Sequence, residues 1–196
     1  LEENSGPYSA DQLLTVIDEA CRQYSVKREK AASIGDQVHA YAEAFAVASI
    51  QGGDLPDIPQ GAEEKVVAGI NAFLEWFNSH DVHFIDAERL VFSRTHEFVG
   101  TADAIAEVDG RKMLIDYKTS KGVYTEMRYQ VAAYRLAYEE EVGKLDGAVL
   151  LHFDKESGEC TPHEMENQEY EKDAEAFLAC LALKRREKEL RKSKRS

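Results

Sequence analysis

Asp109-Gly110 stands between two apolar runs, Phe98–Val108 and Arg111–Thr119. An Asp-Gly pair in that setting is a strong signal for a two-residue hairpin turn, because both central positions need a left-handed backbone. With those two residues as the whole loop, Val108 pairs with Arg111. Counting outward then sets Asp103 directly opposite Asp116, and Thr101 opposite Lys118. Side chains alternate along a strand, so Asp103, Asp116 and Lys118 are expected to project from one side of the sheet.

Two carboxylates facing each other across a strand pair repel. These two sit in apolar surroundings: Ala102, Ala104, Ile105 and Ala106 on one strand, Met113, Leu114 and Ile115 on the other. Partly buried anions this close need a cation or a shared proton. A divalent metal that favours hard oxygen ligands, Mg²⁺ or Mn²⁺, satisfies that need at least cost. Lys118 sets an ammonium two residues from Asp116, where it can orient a water or hold a phosphate oxygen. A structural ion cluster is the competing reading of the same three residues.

The rest of the chain reads as α/β. Leu13, Leu14, Ile17 and Cys21 fall on one helical face of Ala10–Tyr24, and Ile34, Val38, Tyr41, Phe45 and Ala48 form a stripe within Glu29–Ile50. Gln51–Pro59 holds two Gly and two Pro and must be a loop. Glu63–Asn78 is a third amphipathic helix. Strands are expected at Val82–Phe92, Phe98–Val108 and Arg111–Thr119, a helix at Tyr124–Val142, strands at Gly147–Phe153 and Glu159–Met165, and a last helix from Gln168 to Arg191. That order predicts one α/β domain over 1–196 with a mixed sheet: a helical part over 1–60, the core over 61–183, and a basic tail over 184–196. Glu139-Glu140-Glu141 reads as a solvated helix end. His80, His83, His96, His152 and His163 show no metal-ligand spacing.

Composition narrows the function. The 196 residues carry a net charge of -13, which by itself argues against a nucleic-acid coat or a membrane-surface protein. The charge is uneven, however. Lys184–Ser196 holds eight basic residues against Glu187 and Glu189, about +6, and reads as either a solvated helix end or a phosphate-contacting arm. No run approaches the ~18 apolar residues of a membrane span. The first residues lack the basic and apolar parts of a signal peptide, so a cytoplasmic location is expected. The missing initiator Met reads as processing or a fragment. Cys21, Cys160 and Cys180 are far apart and read as reduced thiols.

Three pieces of the core, Gly100-Thr101-Ala102-Asp103, Leu114-Ile115-Asp116-Tyr117-Lys118-Thr119 and Gln130-x-x-x-Tyr134, together resemble the PD-(D/E)XK nuclease superfamily. Gly35-Asp36-Gln37-Val38-His39 matches the helical G-x-x-x-H motif of its RecB-like, phage-type exonuclease branch. The resemblance runs from about Lys30 to Tyr138. It implies a restriction-endonuclease-like core, a mixed sheet flanked by helices. It implies that Asp103, Asp116 and Lys118 are catalytic, and that His39, Asp103, Asp116 and the Tyr117 carbonyl hold the metal. Gln130, Tyr134, Thr119 and Glu88 fall at DNA-binding or outer-shell positions. The first acidic motif departs from the family's Pro-Asp by reading Thr-Ala-Asp. Members with a four-cysteine iron–sulfur cluster have a spacing this chain lacks, so no iron–sulfur cluster is expected.

The function expected from these readings is Mg²⁺- or Mn²⁺-dependent exonuclease cleavage of DNA, single-stranded or at its ends, in recombination, repair or phage DNA processing. A recombination protein is a possible partner, and no membrane is expected. The alternatives are a catalytically inactive nuclease fold that binds DNA ends or a protein, and a restriction-type endonuclease.

Overall fold

A computed structural model describes residues 34–154, 157, 159–165 and 167–193. The helix expected at Ala10–Tyr24 lies outside these residues. Among them, helix α1 occupies 34–51. It is followed by α2 (Glu64–Ser79), β1 (Val82–Ser93), β2 (Phe98–Val108), β3 (Arg111–Ser120), α3 (Thr125–Glu141), β4 (Gly147–Asp154), β5 (Cys160–Met165) and α4 (Asn167–Ser193). The strands form one sheet in the order β1-β2-β3-β4-β5. β3 and β4 are parallel and the other neighbours antiparallel. A parallel pair needs a long crossover, and α3 supplies it. The expected mixed sheet flanked by helices is therefore present.

The hairpin turn follows the rule that predicted it. Asp109 has φ 51° and Gly110 φ 76°, and Val108 pairs with Arg111. The register holds without a slip from there to Ala104 opposite Ile115.

Two apolar layers sandwich the sheet. On one side Ile34, Val38 and Phe45 of α1 and Val66, Ile70 and Phe73 of α2 pack on Ala104, Ala106, Met113, Ile115, Tyr117, Val149, Leu151 and Phe153. The two helices approach closely at Gly69, where a Cβ would stand 2.8 Å from Val38 Cγ2. On the other side Val131, Ala137 and Tyr138 of α3 pack on Ala102, Ile105, Leu114, Ala148 and Leu150. α4 lies against α3. Arg128 of α3 donates to Asp173 of α4, and the Arg135 guanidinium lies 4.1 Å from the Tyr170 ring centre.

Two expectations need correction. The first is strict alternation along β2. Ala104 and Ala106 lie on the α1/α2 side and Ile105 on the α3 side, as alternation demands. Ala102 should then join Ala104, yet it packs on the α3 side with Val91. Facing switches at Asp103. Its neighbour across β1 is Glu88, bracketed by the pairs Ala87–Ala104 and Arg89–Ala102. Glu88 has φ 49°, a conformation rare for a non-glycine residue in a strand. The second correction concerns Glu139, whose side chain is 5% exposed; Glu140 and Glu141 are exposed, as expected. The Glu139 carboxylate is buried and accepts from Arg135, Lys144 and Leu145 N. Glu140 accepts from Ser93 Oγ, Arg94 N, Thr95 N and Thr95 Oγ1, which ties the β1–β2 turn to α3.

Candidate active site

The site forms where β2 and β3 part. Their ladder ends at Ala104–Ile115, one step before Asp103 and Asp116. Beyond it the Tyr117 N–H donates 2.7 Å to Asp103 Oδ2 and not to a strand carbonyl. A side chain has replaced the ladder bond, so the fork is held open by one of the acidic residues itself. β3 continues alone beside β4, with Lys118 next to His152 in register.

Helix α1 closes the fork from one face. Gly35 permits this approach, since a Cβ on it would stand 2.8 Å from Thr119 Cβ. One helical turn on, His39 stands over the fork. Its Nε2 lies 3.6 Å from Asp103 Oδ1 and 3.7 Å from Glu88 Oε1, and its ring meets the edge of Tyr117. Among the described residues, His39, Glu88 and Asp103 are the group of potential ligands whose donor atoms all fall within 4.8 Å of one another. Asp116 stands apart from that trio. Its Oδ2 lies 2.7 Å from Lys118 Nζ, and its Oδ1 has no hydrogen-bond donor.

The positions expected from sequence thus converge, with rearranged partners. Glu88, expected only at the periphery, sits in the trio. Nothing local in the sequence marks its left-handed backbone. Asp103 and Asp116 are not a ladder pair, because the β2–β3 ladder ends at Ala104–Ile115. The Tyr117 side chain points into the core beneath α1 and α2, edge-on to Phe73 at 6.0 Å. Thr119 meets Gly35. On α3, Gln130 Nε2 donates 2.6 Å to Tyr134 Oη. The Tyr134 ring lies against Gly100, where a Cβ would stand 2.3 Å from Cε1. The first residue of the Gly-Thr-Ala-Asp motif therefore makes room for the tyrosine of the Gln-x-x-x-Tyr motif.

Electrostatics identify what is missing from a stable ionic balance. Burial raises the Asp116 carboxyl to about 6; the Lys118 ammonium opposes that rise and Asp103 adds to it. Glu88 is also raised, by burial, then by Glu43 and Asp103, with His39 pulling the other way. Tyr134 is raised by burial, against the hydrogen bond from Gln130. The fork carries more negative charge than Lys118 and one imidazole can balance. A carboxylate oxygen without a donor, buried beside a trio of imidazole and carboxylates, fits a divalent cation that accepts oxygen and nitrogen ligands.

Comparisons with known proteins agree with this geometry. The family model of the PD-(D/E)XK nuclease superfamily matches residues 8–192. The chain belongs to that superfamily, whose members are nucleases that typically use divalent metal ions. None of the curated proteins compared with it matches. A solved structure described as "Crystal structure of SSO0001" is 14% identical with a TM-score of 0.30. The match covers 61% of this chain and 61% of that one, a likeness too slight to inform the site. Among the described residues, no helix is long and apolar enough to cross a membrane.

Proposed function

We propose that this nuclease is a metal-dependent deoxyribonuclease of the RecB-like exonuclease branch, hydrolysing DNA from strand ends in recombination, repair or phage DNA processing. The convergence of His39, Glu88 and Asp103 beside the Asp116–Lys118 pair carries this reading. His39 belongs to the G-x-x-x-H motif of that branch, and Gln130 and Tyr134 supply its helical motif on the opposite face.

His39, Glu88, Asp103 and Asp116 would hold Mg²⁺ or Mn²⁺, with the Tyr117 carbonyl as a further ligand. When bound, the cation supplies Lewis acidity, which lowers the pKa of water and offsets phosphate charge. Lys118 keeps its ammonium at the mouth of the fork, tethered by Asp116, where it can align the attacking water and stabilise charge developing on the phosphoryl oxygens. Asp103 fixes the fork through Tyr117 N, so that its free oxygen faces His39. The Gln130–Tyr134 pair presents polar atoms on the α3 side for the sugar–phosphate backbone.

The test is digestion of end-labelled single- and double-stranded DNA with Mg²⁺ or Mn²⁺, comparing the wild type with Lys118→Ala and Asp116→Ala. Loss of about 10²-fold or more in kcat is expected for each variant. Equal rates in all three proteins would overturn the assignment. Cleavage of covalently closed circles would move the protein from exonuclease to endonuclease.

A further inference from the structure

The basic end of the chain is a built feature of the fold. Among the described residues α4 is exposed on every face from 182 to 192, about three turns, and one residue there is hydrogen-bonded to the β1–β2 turn. That residue is Arg185. Its guanidinium donates 2.7 Å to the His96 carbonyl and 2.7 Å to the Glu97 carbonyl in the β1–β2 turn. The same turn is tied to α3 by Glu140, and Phe98, the first residue of β2, meets Phe177 of α4 edge-on at 4.9 Å. The helix therefore leaves the body in a fixed direction. Its root is joined to the fork by β2, which runs the five residues from Phe98 to Asp103, about 17 Å of strand.

These turns continue the 27-residue α4 and are polar and exposed, so they offer a surface to a partner and not a core face. Their charges show which partner fits. Lys184, Lys188 and Arg191 are spaced four and three apart and share one helix face, and Arg195 continues that spacing in sequence. Arg186 pairs with Glu189 at 3.0 Å and Lys184 lies 3.5 Å from Glu187, both of them exposed pairs that solvent screens. With a total of -13 and about +6 in the last thirteen residues, the rest of the chain carries about -19. A body of that charge repels a polyanion at long range, whereas this basic stripe attracts one.

We propose that the Lys184–Lys188–Arg191 face of α4 is a phosphate-backbone clamp that grips DNA beyond the nucleotide being cut. The inference rests on the DNA-cleaving role proposed above and adds to it where the rest of the strand is held. Contacts of this kind carry no sequence information and are read as counterion release.

The test is fluorescence anisotropy of a labelled 20-nucleotide single strand and of a blunt duplex. The full chain is held in EDTA and titrated with salt between 50 and 200 mM. Lys184→Gln/Lys188→Gln/Arg191→Gln is compared with the wild type and with Lys184→Arg/Lys188→Arg. Loss of three phosphate contacts is expected to flatten the slope of log Kobs against log[salt] by about 2 for the single strand and about 3 for the duplex. Affinity at 50 mM should fall at least tenfold, while the arginine variant should match the wild type. An unchanged slope overturns the clamp and leaves the nuclease reading standing. DNA that is bound with the full slope but not cut by any form overturns the nuclease reading and leaves the clamp. A wild type that binds no DNA at 50 mM salt overturns both.

Discussion

Gly35 and Thr119 meet with no room for a side chain between them: a Cβ added to Gly35 would stand 2.8 Å from Thr119 Cβ and 3.1 Å from its Cγ2. Thr119 Cβ is fixed to the β3 backbone and cannot rotate aside, so Gly35→Ala must displace α1 from β3. His39 is one helical turn away and moves with the helix. Gly35→Ala is expected to cost about 1–3 kcal/mol in urea denaturation and to weaken Mn²⁺ binding at least tenfold by calorimetry. A variant with wild-type metal affinity would show that the close approach does not position His39.

The trio itself gives the next expectation. Removing one donor from a three-residue set should weaken metal binding in every case, by on the order of tenfold or more per donor. Titration of Mn²⁺ into His39→Ala, Glu88→Gln and Asp103→Asn measures this. Glu88 is the informative variant, because its membership depends on one left-handed backbone position. Wild-type affinity in Glu88→Gln would return that residue to the periphery.

Asp116 has a folded pKa of about 6, against 3.8 for the free group. A pKa raised on folding contributes stability that is complete below the unfolded value and disappears as pH rises through the folded one. Between about pH 4 and pH 6, metal-free wild type should therefore lose stability relative to Asp116→Asn, whose amide does not ionise. By pH 7.5 the difference in stability should have shifted toward the variant. Thermal melts in EDTA across that range measure the gap. Excess Mn²⁺ should reverse it, because only the carboxylate gains from the cation.

Glu139 behaves in the opposite sense. Burial tends to raise its pKa, but hydrogen bonds from Arg135, Leu145 N and Lys144 outweigh that and lower it from 4.5. Its stabilisation is present above 4.5 and fades as pH falls through the lower folded value. The advantage of wild type over Glu139→Gln should therefore be constant from pH 6 to 8 and shrink below pH 4.5. Arg135→Ala, which strands the buried carboxylate, should cost about 3–5 kcal/mol in denaturant titrations.

How far the sequence could be read depended on the range of each interaction. The Asp-Gly turn demands a left-handed backbone at both residues, and that requirement fixes the β2–β3 register whatever surrounds it. The helical stripes of 34–51 and Glu64–Ser79, and the apolar runs of β1 to β4, are likewise local periodicities. The approach of Asp103, Asp116, Lys118 and His39 follows from that register and from the order of the elements.

The partners within the site followed different physics. Glu88 joins His39 and Asp103 because the backbone at Glu88 turns left-handed and facing along β2 switches at Asp103. The run of three glutamates at the end of α3 reads as solvent-bound because its charge stands out and the burial of Glu139 does not show in the sequence. Their partners are Arg135 and Lys144 on one side and a turn some 45 residues upstream on the other. Periodicity and turn chemistry act over a few residues and are written in the chain. Donors brought from distant segments exist only once packing has assembled them.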